Sequence, residues 1–202
     1  MDREVTAGRT RWGRFAAVLV AGLAGAAALL FGVSGGALAA SFTVSGTMFK
    51  TSASELRGEG FVLYGGTDRT ADAAHPVAVG GFRSVVMDDF CQSVLLPRLP
   101  LLGEVTLKMT SAGTEGMSAT DMLLGIDEQF GDLTLVRPSI GVDASQLTEG
   151  PPGSGGLAGS FSMQAPSARM APVRQTAWSA TAQTMRLRNL AMSITLGRHE
   201  CF

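Results

Sequence analysis

Apolar and polar residues alternate along much of the chain after residue 40, and this period of two constrains the fold most strongly. The alternation is clearest over residues 105–110 and 190–196, and it recurs over residues 42–48, 133–135 and 140–144. Side chains two residues apart lie on one face of a strand. Each run therefore predicts a strand with one apolar and one polar face.

Glycine pairs separate these runs, at residues 65–66, 80–81 and 155–156, as is typical of turns and bulges. No long window has the period of an amphipathic helix, although residues 69–74 and 176–186 could each form a helical turn or two. The prediction is a mainly β chain. We expect a single antiparallel β-sandwich-like or short β-solenoid domain after an N-terminal apolar export or membrane helix.

The N-terminal segment predicts export. No charged residue occurs between residues 15 and 49, the most apolar part is residues 15–33, and four arginines precede it. Positive charge holds the N-terminal end in the cytoplasm. Ala37-x-Ala39 is the small-residue pattern of a signal cleavage site, with the cut between Ala39 and Ala40. The segment is either a cleaved signal peptide or a retained membrane anchor, so the remainder is membrane-anchored or secreted.

The expected domain organisation follows from this leader. Residues 1–39 form the leader and apolar segment, and residues 40–202 form one exported domain with a sizeable core. Residues 149–160 are rich in proline, glycine and serine, which predicts a loop inside that domain. The 42 or so residues after this loop are too few for a core of their own.

Two cysteines, Cys91 and Cys201, lie in the exported part. An even number of cysteines in an oxidising compartment indicates one disulfide, and two buried free thiols are the alternative. A bridge would tie the C-terminal strands to the main body across the loop at residues 149–160.

Charge limits the classes of partner. The chain has a net charge of −1, and the arginine-bearing leader leaves the exported part weakly acidic and without basic runs. Nucleic acid is therefore not expected as a partner. The membrane is a partner through the N-terminal segment if that segment is retained. The many methionines of the exported part suit either an irregular core or an adaptable apolar pocket.

Few residues suggest catalysis. Ser34 lies in the one G-x-S-x-G match, but that motif requires a strand-turn-helix and a histidine, whereas Ser34 ends the export segment. His75 and His199 are the only histidines, and we expect both to be ordinary surface residues. His199-Glu200-Cys201 has metal-capable atoms, yet neighbours in a strand point to opposite faces.

Acidic residues cluster in two places, at Asp88-Asp89 and between residues 121 and 132. Carboxylates in loops can bind calcium outside a cell, but no EF-hand spacing is present, so solvated turns are expected. The chain also lacks a phosphate loop, a dinucleotide fingerprint and a C-x-x-C pair. We therefore expect no metal and no cofactor.

Several short motifs together resemble an uncharacterised family of exported actinobacterial proteins, over residues 9–202. The motifs are residues 39–42, 60–61, 75–79, 91–94, 100–107, 175–178 and 200–202. The resemblance implies an actinobacterial cell envelope and a cysteine placement that matches Cys91 and Cys201. Some members of that family carry the label cholesterol esterase, but no catalytic residue can be carried over to this sequence.

Two functions follow as hypotheses. The first is a non-catalytic cell-envelope or secreted β-rich protein that binds an apolar, lipid-like ligand or a partner protein. The alternative is a lipid-ester hydrolase, which only the family label supports.

Overall fold

A computed structural model describes residues 12–20, 22–23, 46–99 and 103–202. Contacts divide the chain into two units, Met1–Ser41 and Phe42–Phe202, and residues 12–20 and 22–23 of the first unit are helical. No helix in these described ranges is long and apolar enough to cross a bilayer. Ser34, the cleavage site at Ala39 and Ala40, and most of the apolar segment lie outside the described residues.

Most of the described residues of the second unit lie in strands, so the prediction of a mainly β chain is confirmed. Besides one 3₁₀ turn at Ala144–Gln146, its elements are β1 (Phe49–Ala53), β2 (Glu55–Arg69), β3 (Ala74–Asp88), β4 (Phe90–Leu99), β5 (Gly103–Ser111), β6 (Met117–Val136), β7 (Ser139–Asp143), β8 (Phe161–Thr181), β9 (Thr184–Leu187) and β10 (Ala191–Leu196).

Four of these strands form a small closed antiparallel barrel. β2 pairs with β3, β3 with β6, β6 with β8, and β8 returns to β2. Pairing around a ring satisfies the ladder on both sides of each strand, so the barrel leaves no open edge where it closes. The period-two pattern predicts strands with one buried face, and it does not distinguish this ring from a sandwich or a solenoid.

The remaining strands extend the sheet beyond the barrel. β1 pairs with β8 on one side and β4 on the other, and the order continues through β5 to β10. β7 continues along β8, and β9 pairs with the first residues of β6. β8 is shared between the barrel and the extension, because its residues 165–170 pair with β2 and its residues 173–177 pair with β1.

The barrel and the extension meet at a corner formed by Ser54, Asp88 and Asp89. Ser54 is the single residue between β1 and β2, and Asp89 is the single residue between β3 and β4. The backbone N–H of Ser54 donates to the C=O of Asp88 at 3.0 Å. Asp89 has a φ of 49°, a left-handed conformation that aspartate tolerates better than most residues. Both strand pairs therefore change direction at the same point.

The main core fills the barrel. Its fully buried side chains include Val85, Met87, Met117, Ala165 and Val173. A second, smaller cluster consists of Val62, Tyr64 and Ala144, beneath the segment that leads into β8. Because Met87 and Met117 have no exposed surface, these methionines act as core-filling residues.

Local expectations differ from the structure in three places. Met48 precedes β1 rather than lying within a strand. The possible helical turn at residues 69–74 is wrong, since those residues end β2, form a bend and begin β3. The possible helical turn at residues 176–186 is also wrong, since those residues belong to β8, β9 and the turn between them. The last segment is a strand because it pairs with β1 and β6 on its two sides. Residues 149–160 contain no strand and lead into β8.

Candidate functional site

His75 lies near the start of β3 and His199 follows β10, and neither is arranged as a catalytic base. The ring of His75 stacks on Trp178 with centroids 3.8 Å apart and planes 16° apart, and its Nε2 lies 3.5 Å from the hydroxyl of Thr70. The backbone N–H of His199 donates to Thr106 Oγ1. In the described part of the chain, no serine hydroxyl is hydrogen-bonded to either imidazole.

One serine contacts a carboxylate near His75, but the contact links strands. Ser179 Oγ on β8 donates to Asp68 Oδ2 on β2 at 2.6 Å. A Cβ added at Gly125 of β6 would come within 3 Å of both partners, so the glycine makes room for this link. A serine nucleophile requires an imidazole that accepts its proton. Here the Ser179 hydroxyl donates to the Asp68 carboxylate instead of to an imidazole, so the arrangement does not activate Ser179.

Asp88 and Asp89 stabilise the corner between the barrel and the extension by accepting hydrogen bonds. Asp88 accepts two hydrogen bonds from Arg57, at 2.9 and 3.0 Å, and one from the backbone N–H of Glu115 at 2.8 Å. Asp89 accepts hydrogen bonds from the backbone N–H of Gly113 at 2.8 Å and from Ser54 Oγ at 2.9 Å. The Arg57 guanidinium holds the pKa of Asp88 below its usual value, and the Gly113 N–H has the same effect on the pKa of Asp89.

These carboxylates are thus occupied by strand and turn contacts. Across the residues that the structure describes, no group of three histidine, cysteine or acidic side chains is gathered in a way that could hold a metal ion. Asp127, Glu128 and Asp132 are exposed along the second half of β6.

The predicted disulfide between Cys91 and Cys201 is present, with Cα atoms 5.9 Å apart. Cys91 lies on β4, and Cys201 lies in the C-terminal tail that follows β10. Further hydrogen bonds hold the tail. Thr106 Oγ1 donates to the C=O of Gly197 at 2.7 Å and accepts from the N–H of His199 at 3.0 Å, and Ser93 Oγ accepts from the N–H of Cys201 at 3.0 Å. The tail therefore lies over one face of β4 and β5, where Ser93 and Thr106 are buried.

A small, mainly apolar cavity lies among the barrel strands in the described part of the chain. Its volume is about 40 Å³, and side chains from all four barrel strands line it, among them Leu56, Phe82, Ile126 and Met170. Pockets that bind drug-sized or lipid-sized molecules are typically about 300–1,000 Å³. The cavity has room for a water-sized molecule, and the barrel is in effect a packed core.

The opposite face of the outer two strands is apolar; its β10 side chains are exposed, whereas Leu107 and Met109 are half-buried and Val105 is buried. In register across β10 and β5, Met192 lies beside Met109, Ile194 beside Leu107, and Leu196 beside Val105. Residues directly opposite each other project to the same face of a sheet. We name this surface the apolar edge face; it consists of Met192, Ile194, Leu196, Met109, Leu107 and Val105.

The β10 part of this face is strongly exposed. Met192 is 59% exposed, Ile194 70% and Leu196 63%. Continuous exposed apolar surface at this density is typical of interaction sites. The alternation of residues 190–196 predicted a strand with one apolar face, but a sequence does not show which strand of a sheet is outermost, so the exposure of that face was not predicted.

β10 is also an open edge. The described residues that pair with it all belong to β5. The N–H of Gly197, directly after β10, donates to the C=O of Glu104 on β5 at 2.8 Å. Successive residues of a strand direct their backbone groups to opposite sides. The N–H and C=O groups of Met192, Ile194 and Leu196 therefore face away from β5, on the same residues whose side chains form the apolar edge face.

A match to a family model assigns most of the chain to a protein family. Residues 45–202 match a family of unknown function (DUF6230), and because this match covers more than half of the chain, the chain belongs to that family. No curated protein and no solved structure matches it. The expectation of an uncharacterised family is confirmed in this form.

Proposed function

We propose that this member of the family is an exported, non-catalytic binding protein of the cell envelope, secreted or held by its N-terminal segment, and that a partner protein docks on its apolar edge face. The single observation that carries the proposal is β10. Six uncharged residues form an open strand edge there, and three of them expose large apolar side chains. Such a strand offers a partner both backbone hydrogen bonds and apolar area.

Two features support a place outside the cytoplasm. The arginine-bearing leader, the apolar residues 15–33 and the Ala37-x-Ala39 pattern form the arrangement of an export signal. The Cys91–Cys201 disulfide ties the C-terminal tail to β4, and disulfides of this structural kind form and persist mainly in oxidising compartments. The leader and the disulfide thus both support an exported domain.

The geometry favours a protein over a lipid-like ligand. An acyl chain bound inside the barrel would need a far larger apolar space than the cavity of about 40 Å³ provides. The apolar edge face is instead the surface of an open sheet that ends in free backbone donors and acceptors. A protein strand can satisfy those donors and acceptors, and a hydrocarbon chain cannot.

The hydrolase alternative has no observation in its favour among the described residues. His75 stacks on Trp178, His199 uses its backbone N–H to hold the tail, and Ser179 is bonded to Asp68. None of these contacts joins a serine hydroxyl to a histidine imidazole.

Site-specific photocrosslinking in intact cells tests the proposal. A benzophenone amino acid replaces Ile194 in the full chain, which carries a C-terminal tag, and added protease reports whether that tag is outside the cell before lysis. We expect a cleavable tag and a crosslink from position 194 to a protein. The matched control places the same amino acid at Leu157, which is 81% exposed but lies in the loop before β8, away from the apolar edge face.

The outcomes separate the possibilities. A protein crosslinked at position 194 and absent at position 157 supports the proposal. A lipid adduct at position 194 would replace the protein partner with an apolar ligand. A protected tag would contradict export, and equal labelling at both positions would contradict a specific surface.

A further inference from the structure

We propose that the partner on the apolar edge face is a second copy of this chain, paired through antiparallel β10 strands about a two-fold axis. The inference rests on the proposed function and names the partner of the same surface. It follows from three properties of β10: the direction of its free backbone groups, the position of its apolar side chains, and the neutralisation of its flanking charges.

The free backbone groups define one favourable register. Met192, Ile194 and Leu196 direct their N–H and C=O groups outward, as the Gly197–Glu104 hydrogen bond and the unbroken β10–β5 register require. In an antiparallel pair, two residues that both face inward exchange two hydrogen bonds. Centring the axis on Ile194 places Ile194 opposite its own copy and Met192 opposite Leu196 of the other copy. All three outward residues are then paired.

The same register joins the two apolar edge faces. A two-fold axis perpendicular to the sheet keeps equivalent faces on the same side. The side chains of Met192, Ile194 and Leu196 in one copy therefore continue into those of the other. A shift by one residue would place an outward-facing residue opposite an inward-facing one and would lose the hydrogen bonds. Side-chain face and backbone direction thus favour one arrangement.

Charge does not oppose the pairing. Residues 191–196 carry none, so no like charges would lie opposite each other across the axis. Arg198, two residues after β10, forms two hydrogen bonds with the carboxylate of Glu104, both at 3.0 Å. Arg188, three residues before β10, lies 3.8 Å from Glu115. Both flanking cations are therefore paired within their own copy.

The other end of the sheet shows the contrast. β9, which ends the strand order opposite β10, has four residues and includes Arg186. Short strands and charged side chains are the usual means by which proteins prevent edge pairing. β10 has neither feature. The two-fold contact uses the β10 edge of each copy. The assembly therefore closes at two copies rather than growing into a filament.

Disulfide trapping tests the register. Ile194→Cys is introduced into the full chain, two differently tagged versions are coexpressed, and intact cells are oxidised with copper phenanthroline. In the proposed pair the two Cα atoms at position 194 are about 5.5 Å apart, within the range of about 4.4–6.8 Å that a disulfide spans. We expect a covalent dimer that carries both tags and that reductant separates.

Thr195→Cys is the matched control. Its side chain lies on the opposite face, and Thr195 faces Ser193 of the other copy. The two Cα atoms at position 195 are therefore offset by about 7 Å along the strands, two residues of rise, in addition to the spacing between strands. We expect little dimer from this variant. Mass measurement of the Cys91–Cys201 peptide in both variants shows whether the native disulfide, and hence the fold, is intact.

A charge variant gives a second, independent measurement. Ile194→Lys would place two ammonium groups opposite each other, and we expect it to abolish the dimer in sedimentation of the detergent-solubilised full chain, while Leu157→Lys leaves the dimer unchanged. No dimer from Ile194→Cys, or equal dimer from Thr195→Cys, would overturn the inference. If position 194 then still crosslinks to a different protein, the proposed function stands and only the identity of the partner is wrong.

Discussion

The backbone N–H of Cys201 donates to Ser93 Oγ on β4 at 3.0 Å, two residues along that strand from Cys91, to which Cys201 is also bonded covalently. The C-terminal tail is therefore held by a disulfide and a buried hydrogen bond at adjacent same-face positions of one strand. Ser93 is only 1% exposed, so the hydrogen bond forms away from solvent.

Removal of the disulfide should destabilise the domain strongly. The bridge spans 110 residues of sequence, and the chain-entropy model gives about 4–5 kcal/mol for a loop of that length. We expect Cys91→Ser combined with Cys201→Ser to lower the free energy of unfolding in urea by about this amount. Reductant should lower the stability of the wild type similarly and leave the double variant unchanged. Two alkylatable thiols in the unreduced native protein would contradict the bridge.

A methyl group at Gly58 should disrupt barrel packing. A Cβ built there would clash with Cδ1 of Phe82, and Phe82 is itself buried in the barrel core. Overpacking of this kind typically costs about 1–3 kcal/mol, so Gly58→Ala should lower the free energy of unfolding by that amount. Gly65→Ala is the matched control in the same strand, because a Cβ at Gly65 meets nothing within 4 Å.

A double variant strengthens the Gly58 test. Phe82→Leu shortens the opposing side chain, and combined with Gly58→Ala it should cost less than the sum of the two single changes. Equal destabilisation by Gly58→Ala and Gly65→Ala, or strict additivity in the double variant, would show that Phe82 does not limit the space at Gly58.

Acid should weaken the corner. Hydrogen bonds from Arg57 and from the N–H of Glu115 lower the pKa of Asp88 in the folded state. A depressed pKa contributes stability that is complete above the unfolded-state pKa of about 3.9, and this contribution is lost as the pH falls through the lower folded-state pKa. The melting temperature of the wild type should therefore fall more steeply below about pH 4 than that of Asp88→Asn.

Asp72→Asn is the control for this measurement. Asp72 is exposed in the turn between β2 and β3, so its replacement tests the loss of a carboxylate without the corner contacts. It should keep the steep acid dependence of the wild type. Parallel melting curves for the wild type and Asp88→Asn across acid pH would contradict a stabilising role for the Asp88 carboxylate.

Local strand content was predictable from the sequence, because it depends on the alternation within a few residues. The run at residues 105–110 lies in β5, and the run at 190–196 contains β10. Strand pairing depends on contacts across long stretches of chain, such as Leu56 with Met170, and no local pattern encodes them. The closed barrel was therefore not predictable, although its strands were.

The apolar edge face was not predictable from the sequence for a related reason. Met192, Ile194 and Leu196 have the same alternation as the buried core strands, and only the strand order shows that their strand is outermost. The corner was hidden because Asp88-Asp89 has the composition of a solvated turn. Its partners Arg57 and Glu115 lie more than 25 residues away on either side. Cysteine count, in contrast, sufficed for the disulfide, because two thiols leave one possible pairing.

The shared position of β8 has a consequence for the order in which the domain folds. β1, β2, β6 and β7 all pair with β8, yet β8 begins only at Phe161, so the ring stays open until most of the chain has been synthesised. Contacts of such large sequence separation give a high contact order and slow folding. Under the export that we propose, the chain would therefore reach a translocation channel before the barrel can close, and the barrel would form on the far side.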